Sequence, residues 1–368
     1  MTEFLVAILP SIAVLSAMAA LLALLLVIAD AWIGNYGECM ITINGQKEIK
    51  VRGGQSLLAA LAANRVFLPS ACGGRGTCAY CKAKVLEGGG PVLPTETPLL
   101  TAEELKGNTR LSCQVKVRND LRIEIPDELF NIREYRARVA RITDLTHDIK
   151  EIRLELTAPE TIAFKAGQYV QFRAPEYPGN KAAVYRAYSV ASAPSDNRAV
   201  ELVIRKVPGG ICTTYVFEHL KEGDDVVFNG PYGDFTLRSS DAEIVFAAGG
   251  SGFAPIRAML LDNPEELNRR GARYFFGAKE DRDLFYLDMM KDVTEKHANV
   301  KFIPILSKPP DGWEGETGLI THVLEKQLDD AAGKEFYLCG SPGMIDACVK
   351  VFTKKGASEN VIFYDKFA

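Results

Sequence analysis

The sequence predicts a multidomain protein with an apolar N-terminal helix, a small cysteine-bearing α+β unit, an antiparallel β-barrel and a parallel α/β sheet. Three observations carry that reading. No charged residue occurs between Phe4 and Ala29. Short alternating strands separated by Gly, Pro, Asn and Asp turns fill the middle third. After Leu237, short apolar runs alternate with helical stretches, the pattern of a parallel sheet covered on both faces. The length of 368 residues accommodates two or three domains beyond an anchor.

The apolar run exceeds the ~20 residues that cross a bilayer as a helix. A cleaved signal peptide is the alternative, since Ala29-Asp30-Ala31 fits a small-x-small site. No Lys or Arg precedes the run, however, and it is long for a signal core. The expectation is therefore a single-pass anchor in contact with membrane lipid, with Trp32 and Tyr36 as interfacial aromatics. Composition is that of a globular chain, 47% hydrophobic and 24% charged, which excludes a disordered chain or a multi-span transporter. The net charge of −4 comes from interspersed signs, so nucleic acid is not an expected partner.

After the anchor, Ile41 to Gly45 reads as a strand ending in an Asn-Gly turn, with Ile49 and Val51 on the return strand. Ser56 caps a helix over Leu57–Ala63, Lys82–Leu86 reads as a strand, and Thr101 to Glu104 forms a capping box. Leu111–Val117 and Leu121–Ile125 read as closing strands, and Pro126 marks a boundary. In the middle third, Ile152, Leu154 and Leu156 alternate with charged residues, as do Tyr169 to Phe172 and Val200 to Arg205. Beyond it, Ile244–Ala248, Tyr274–Phe276, Val300–Ile305 and Phe336–Leu338 are the buried strands of the parallel sheet.

Cys72, Cys78 and Cys81 give C-x5-C-x2-C, and Cys113 follows on a later element. Four thiolates suit a [2Fe–2S] cluster, and the spacing is the plant-type one with a residue added. Gly73, Gly74 and Gly76 let the backbone approach such a cluster. Structural zinc and buried thiols are the alternatives; zinc usually takes two separated C-x2-C pairs or His partners. Cys39 and Cys348 read as small apolar filler. In Arg186-Ala187-Tyr188-Ser189, Arg can pair with a diphosphate, Tyr can stack on an isoalloxazine and Ser can reach flavin N5. Gly210, Cys212, Thr213 and Thr214 lie where a helix opens, either a phosphate site or an ordinary cap. The strand Ile244–Ala248 runs into Gly249, Gly250, Gly252 and Pro255, a nucleotide-diphosphate context that lacks the standard dinucleotide fingerprint. Gly340 and Pro342 follow Cys339 at the end of another strand, either a ligand edge or a plain turn.

Taken together, the Cys loop, Arg186 to Ser189, Gly230-Pro231-Tyr232-Gly233, Gly249 to Pro255, Phe276-Gly277-Ala278, Cys339-Gly340-Ser341-Pro342 and terminal Phe367 resemble the ferredoxin–NADP⁺ reductase superfamily fused to a [2Fe–2S] ferredoxin. With an N-terminal span added, the arrangement resembles the family of F subunits of sodium-translocating NADH:quinone oxidoreductases. The resemblance implies a transmembrane anchor at 1–34, a β-grasp ferredoxin domain at 35–129, an FAD-binding barrel at 130–237 and a Rossmann-like NADH domain at 238–368. It implies FAD, a [2Fe–2S] cluster and NADH, and membrane subunits of a redox complex as partners. Hydride would pass from NADH to FAD, and single electrons to the cluster and on to quinone. The soluble domains would face the cytoplasm from the inner membrane. By the same resemblance, Ser189, Cys339 and Phe367 are the catalytic residues, Phe367 covering the flavin face and Cys339 lining the pocket. Gly277 and Arg282 would lie on the NADH side. Two departures are a short stretch from Phe172 to Arg186 and the chain end Asp365-Lys366-Phe367-Ala368. The alternative is the NADH-dependent reductase component of an oxygenase, which shares this domain order. A tethered redox sensor that binds flavin without turnover is a third reading.

Overall fold

The computed structural model describes the backbone of residues 2–33 and 36–367, and the side chains of 10, 12–27 and 36–367. Helix α1 (Thr2–Ile33) carries the apolar run and leaves Leu15 65% and Val27 66% exposed. Among the described residues no helix is long and apolar enough to cross a membrane. Trp32, expected at an interface, lies outside the described side chains. The chain divides into two compact units, Met1–Leu68 with Gly74–Phe130, and Pro69–Gly73 with Asn131–Ala368.

The first unit is built on a five-stranded mixed sheet. Strands β1 (Glu38–Ile43) and β2 (Lys47–Arg52) form the expected hairpin. Its turn is closed by Gln46 N–H donating to the Ile43 carbonyl at 3.0 Å, with positive φ at Asn44 and Gly45. Asn and Gly tolerate that conformation, and its twist matches the strands. Helix α2 (Leu57–Ala63) starts where the Ser56 hydroxyl accepts from Ala59 N–H. After β3 (Lys82–Glu87), α3 (Ala102–Lys106) begins in the Thr101/Glu104 capping box, and β4 (Thr109–Leu111) and β5 (Leu121–Glu124) complete the sheet. The strand order is β2-β1-β5-β3-β4, with β1 and β5 parallel. Ile41, Ile43, Leu57, Leu61 and Ile123 fill the core beneath α2. Burying each such side chain contributes roughly 1.5–3 kcal/mol. The strand expected over Leu111–Val117 stops at Leu111. Gln114 and Val115 N–H both donate to the Leu111 carbonyl, at 2.8 and 3.2 Å, so the chain turns and Cys113 sits on that turn.

The second unit begins with six antiparallel strands: β6 (Arg133–Asp144), β7 (Ile149–Ala158), β8 (Tyr169–Ala174), β9 (Val184–Ser189), β10 (Ala199–Arg205) and, after α4 (Ile211–Thr214), β11 (Asp225–Tyr232). Their order is β10-β7-β6-β11-β8-β9, and a bridge between Val190 and Leu202 ties the two end strands into a barrel. Alternation was expected in β10, but all of it except Arg205 is buried. The outward Val203 packs with Ile149 and Ala191 into the core of the α/β half, so both faces are covered.

That α/β half runs β12 (Glu243–Gly249), α5 (Phe253–Asp262), α6 (Pro264–Arg270), β13 (Ala272–Ala278), α7 (Leu287–Lys296), β14 (Val300–Leu306), β15 (Glu316–Thr317), α8 (Ile320–Gln327), β16 (Lys334–Gly340), α9 (Pro342–Lys354) and β17 (Ile362–Lys366). All neighbours are parallel, in the order β15-β14-β13-β12-β16-β17. The sheet grows outward in both directions from β12, so its switch point lies between β12 and β16. At such a point the loops leaving the carboxyl ends diverge and open a crevice for a ligand. The Gly249 and Gly340 turns are both there.

Candidate functional site

The cysteine loop takes its form from backbone conformations that only some residues tolerate. In the first unit, the Cys81 and Cys113 thiols share a hydrogen bond, and Cys78 is close enough to act on Cys81 electrostatically. The Cys113 hydrogen bond and burial push the Cys81 thiol up. The neutral Cys81 thiol is therefore favoured until a cation displaces its proton. Cys81, Leu100 and Leu111 form a small apolar cluster against which Leu58, Ala79 and Cys113 pack. Ser112 Oγ, next in sequence to Cys113, is buried and lacks a hydrogen-bond partner among the described residues. Soft thiols, an apolar shell and an orphaned hydroxyl together fit an iron–sulfur cluster. Among the described residues no group of three or more His, Cys, Asp or Glu could hold a metal ion. A [2Fe–2S] cluster spreads its thiolates over two irons and does not need three on one. Cys72 is buried and belongs to the Pro69–Gly73 segment grouped with the second unit.

One feature of the first unit escaped sequence reasoning. Glu96 is fully buried and ion-paired to Arg110, with Nη2 to Oε2 at 2.7 Å. Its carboxylate also accepts from Leu93 and Leu111 N–H, both at 2.9 Å. Arg110 in turn donates to the carbonyls of Gly89, Gly90 and Pro91. Burial opposes the Glu96 charge, but the Arg110 and backbone donors outweigh it and hold the carboxyl below its ordinary range. The pair fastens the 89–96 loop to β4, just before Cys113.

In the second unit, Arg186, Ala187, Tyr188 and Ser189 lie on β9, which pairs along its length with β8. Arg186 Nη1 donates to the Tyr185 carbonyl at 2.7 Å and lies against Gly73. The Tyr188 hydroxyl and Cys212 thiol are hydrogen-bonded, and burial pushes Cys212 up to about 11. That thiol is inert at neutral pH. Gly210 is the N-cap of α4, and the Thr213 hydroxyl is turned back onto the Val207 and Gly210 carbonyls. Thr214 lies on α4, which continues as a π-helical turn at Tyr215–His219.

Ser189 meets the sheet edge. Its Oγ donates to Asp365 Oδ2 at 3.2 Å. Asp365 is the register partner of Cys339 in β16–β17, and burial pushes its carboxyl up to about 6. Cys339 is fully buried, and burial with the Asp365 charge pushes its thiol far up. Phe367 N–H donates to the Gly340 carbonyl at 2.9 Å, and its ring packs on the core that contains Cys339. Residues 176 positions apart thus converge on one spot. A glycine is required at 252, because any Cβ there would collide with the Cys339 carbonyl. Gly249 closes β12, Gly250 begins the short 3-10 turn Gly250–Gly252, Pro255 lies in the first turn of α5, and Pro342 opens α9. Gly277 closes against β12, at its register partner Gly249. Arg282 is ion-paired with Glu280 at 2.9 Å. Asp365 is the second functional candidate that sequence reasoning missed; its signal was an acidic residue two places before the terminal aromatic.

Comparison with known proteins covers the same regions. Residues 41–118 match the 2Fe-2S iron-sulfur cluster binding domain family, 136–237 the oxidoreductase FAD-binding domain family and 246–350 the oxidoreductase NAD-binding domain family. The cofactors are accordingly FAD, a [2Fe–2S] cluster and NADH. The chain is 37% identical to the F subunit of a Na(+)-translocating NADH-quinone reductase of Marinomonas sp., over 95% of each chain. It is 36% identical to the protein of that name from Pseudomonas aeruginosa, over 93% of this chain and 94% of that one. Among solved structures, an Amycolatopsis cytochrome P450 reductase superposes with a TM-score of 0.71 at 30% identity, covering 89% of this chain and 98% of that one. The ferredoxin reductase in carbazole 1,9a-dioxygenase superposes with a TM-score of 0.70 at 28% identity, covering 90% and 99%.

Proposed function

We propose, from the premise that this chain belongs to the family of F subunits of Na(+)-translocating NADH-quinone reductases, that it is the NADH-oxidising electron-input subunit of a membrane redox complex. The carrying observation is the succession on one chain of a [2Fe–2S], an FAD-binding and an NAD-binding domain. NADH gives up two electrons as one hydride and the cluster takes one at a time, so a flavin, which does both, stands between them. Cys72, Cys78, Cys81 and Cys113 hold the cluster. Arg186, Tyr188 and the 210–214 segment would hold FAD, and Ser189, whose hydroxyl meets Asp365 at 3.2 Å, would lie beside the atom that receives hydride. The glycine turn 249–252, Pro255, Gly277, Gly340 and Pro342 frame the dinucleotide, and Cys339 and Phe367 line its nicotinamide end. Glu280 and Asp281 follow β13, where carboxylates accept from a 2′-hydroxyl and repel a 2′-phosphate, favouring NADH over NADPH in kcat/KM.

Helix α1 is the single-pass anchor, with the domains 35–129, 130–237 and 238–368 on the cytoplasmic side. Its support is the uncharged run Phe4–Ala29. One apolar helix cannot enclose an ion path, so any ion translocation belongs to partner subunits. Deleting 1–34 is expected to give a soluble protein that keeps its FAD, its cluster and NADH-to-ferricyanide activity. A natural N-terminus at Ala31 or Trp32 would overturn the anchor, and loss of NADH oxidation in the intact, FAD-loaded chain would overturn the function. The likeness to oxygenase reductases supports a second reading, a reductase that serves a soluble oxygenase. Co-purification from solubilised membranes with integral membrane subunits separates the two.

A further inference from the structure

The amide of Gln114 donates from Nε2 to the sulfur of Cys113 at 3.6 Å, and its Oε1 accepts from the Thr95 hydroxyl at 3.1 Å. The orientation follows from chemistry. A cluster-bound thiolate only accepts hydrogen bonds, so the –NH₂ end must face it and the carbonyl end is left for Thr95. The space for this amide is kept by Gly76, where a Cβ would come within 2.6 Å of Gln114 Nε2. Thr95 is held in place because its neighbour Glu96 is locked to Arg110 and to Leu111 N–H. A loop that carries no cysteine thus reaches the sulfur of a cluster ligand through one side chain.

Resting on the cluster reading of residues 41–118, we propose that Gln114 is a positioning and tuning residue for the [2Fe–2S] centre, oriented by Thr95. Its N–H⋯S bond raises the one-electron reduction potential. Reduction adds negative charge to the cluster and its thiolates, and a donor aimed at Cys113 stabilises the reduced state more than the oxidised one. Thr95 acts one bond further out, by fixing which end of the amide faces the sulfur.

The test is a reductive titration of the full, FAD- and iron-loaded chain, followed by low-temperature electron paramagnetic resonance of the reduced cluster. Gln114→Met keeps the bulk and removes the donor. It is expected to shift the one-electron equilibrium several-fold toward the oxidised state, at 59 mV per factor of ten, with iron content unchanged. Gln114→Glu replaces the donor with a negative charge and is expected to shift it further the same way. Thr95→Val is expected to give a smaller shift in the same direction, and Thr95→Ser to restore the wild-type potential. The wild-type reduced cluster should also show an exchangeable-proton coupling, sensitive to D₂O, that Gln114→Met loses. An unchanged potential and an unchanged coupling in Gln114→Met and Thr95→Val, with the cluster present, overturn the proposal and leave the electron-input function standing. If Gln114→Met sheds its iron, the two Thr95 variants decide, since that side chain lies on the surface. Absence of iron from the wild-type chain overturns both readings.

Discussion

The cysteine loop of the first unit and the Ser189–Asp365–Cys339 constellation of the second are assembled by opposite routes. Cys78 and Cys81 are three residues apart, and left-handed backbone at Gly74, Gly76 and Ala79 shapes the loop between and around them. The chemistry there is written in local spacing. The other site takes one residue from each of three strands, β9, β16 and β17, and exists only once a barrel edge meets a parallel sheet. Local devices tolerate change elsewhere in the fold, whereas convergent ones depend on every strand that feeds them.

Substitution separates the two most sharply. Cys81→Ser is expected to abolish the visible [2Fe–2S] absorbance and bound iron altogether, with FAD retained. Cys348→Ser is expected to leave the cluster intact, since that thiol is buried in the α/β core and pushed up to about 12. Zinc in place of iron at the site would break the comparison.

A smaller but still large effect is expected from Glu96→Gln. The shape is kept, but Arg110 is left with a buried, uncompensated charge, at a cost of about 3–5 kcal/mol. Urea unfolding of the cluster domain measures it. The Glu96 carboxyl is held below its ordinary range, so the stability it contributes is present above the ordinary carboxylate pKa and is lost as pH falls through its folded value. The variant should therefore lose part of that acid sensitivity. A neutral result would mean that the 89–96 loop is held by its backbone alone.

The convergent site is probed more gently by pH. Burial pushes the Asp365 carboxyl up to about 6. Its charge therefore costs stability as pH rises from the ordinary carboxylate value through about 6, and that cost persists above it. Above pH 6 the carboxylate accepts from Ser189; below it the neutral acid does so less strongly. NADH oxidation should show an inflection near pH 6 that Asp365→Asn removes, and the variant should gain in Tm at pH 8 but not at pH 4. An inflection that survives the substitution would assign it to another group.

How much of this was legible in the sequence follows the same division. The Asn44-Gly45 turn, the Ser56 cap, the Thr101/Glu104 box and the run from Ile244–Ala248 into the glycine turn are set by neighbours within a few residues, and all appear where expected. The strand over Leu111–Val117 was misread because its apolar pattern serves a turn that carries Cys113. Alternation in β10 failed because a second layer covers its outer face. The Glu96–Arg110 pair and the Ser189–Asp365 bond were invisible for a related reason. An acidic residue in isolation reads as solvated surface, and only its partner, 14 residues away in one case and 176 in the other, shows otherwise.

The central claim is a linear order, NADH to FAD to [2Fe–2S], and stopped-flow absorbance on two variants tests it most directly. Cys113→Ala should bleach flavin on mixing with NADH as fast as the wild type while failing to reduce acceptors that depend on the cluster. Ser189→Ala should keep the cluster spectrum and slow the bleaching itself by roughly tenfold, the loss of one hydrogen bond of about 1.4 kcal/mol at the reacting atom. If removing Cys113 slowed flavin bleaching as much as removing the Ser189 hydroxyl, the linear order would be contradicted.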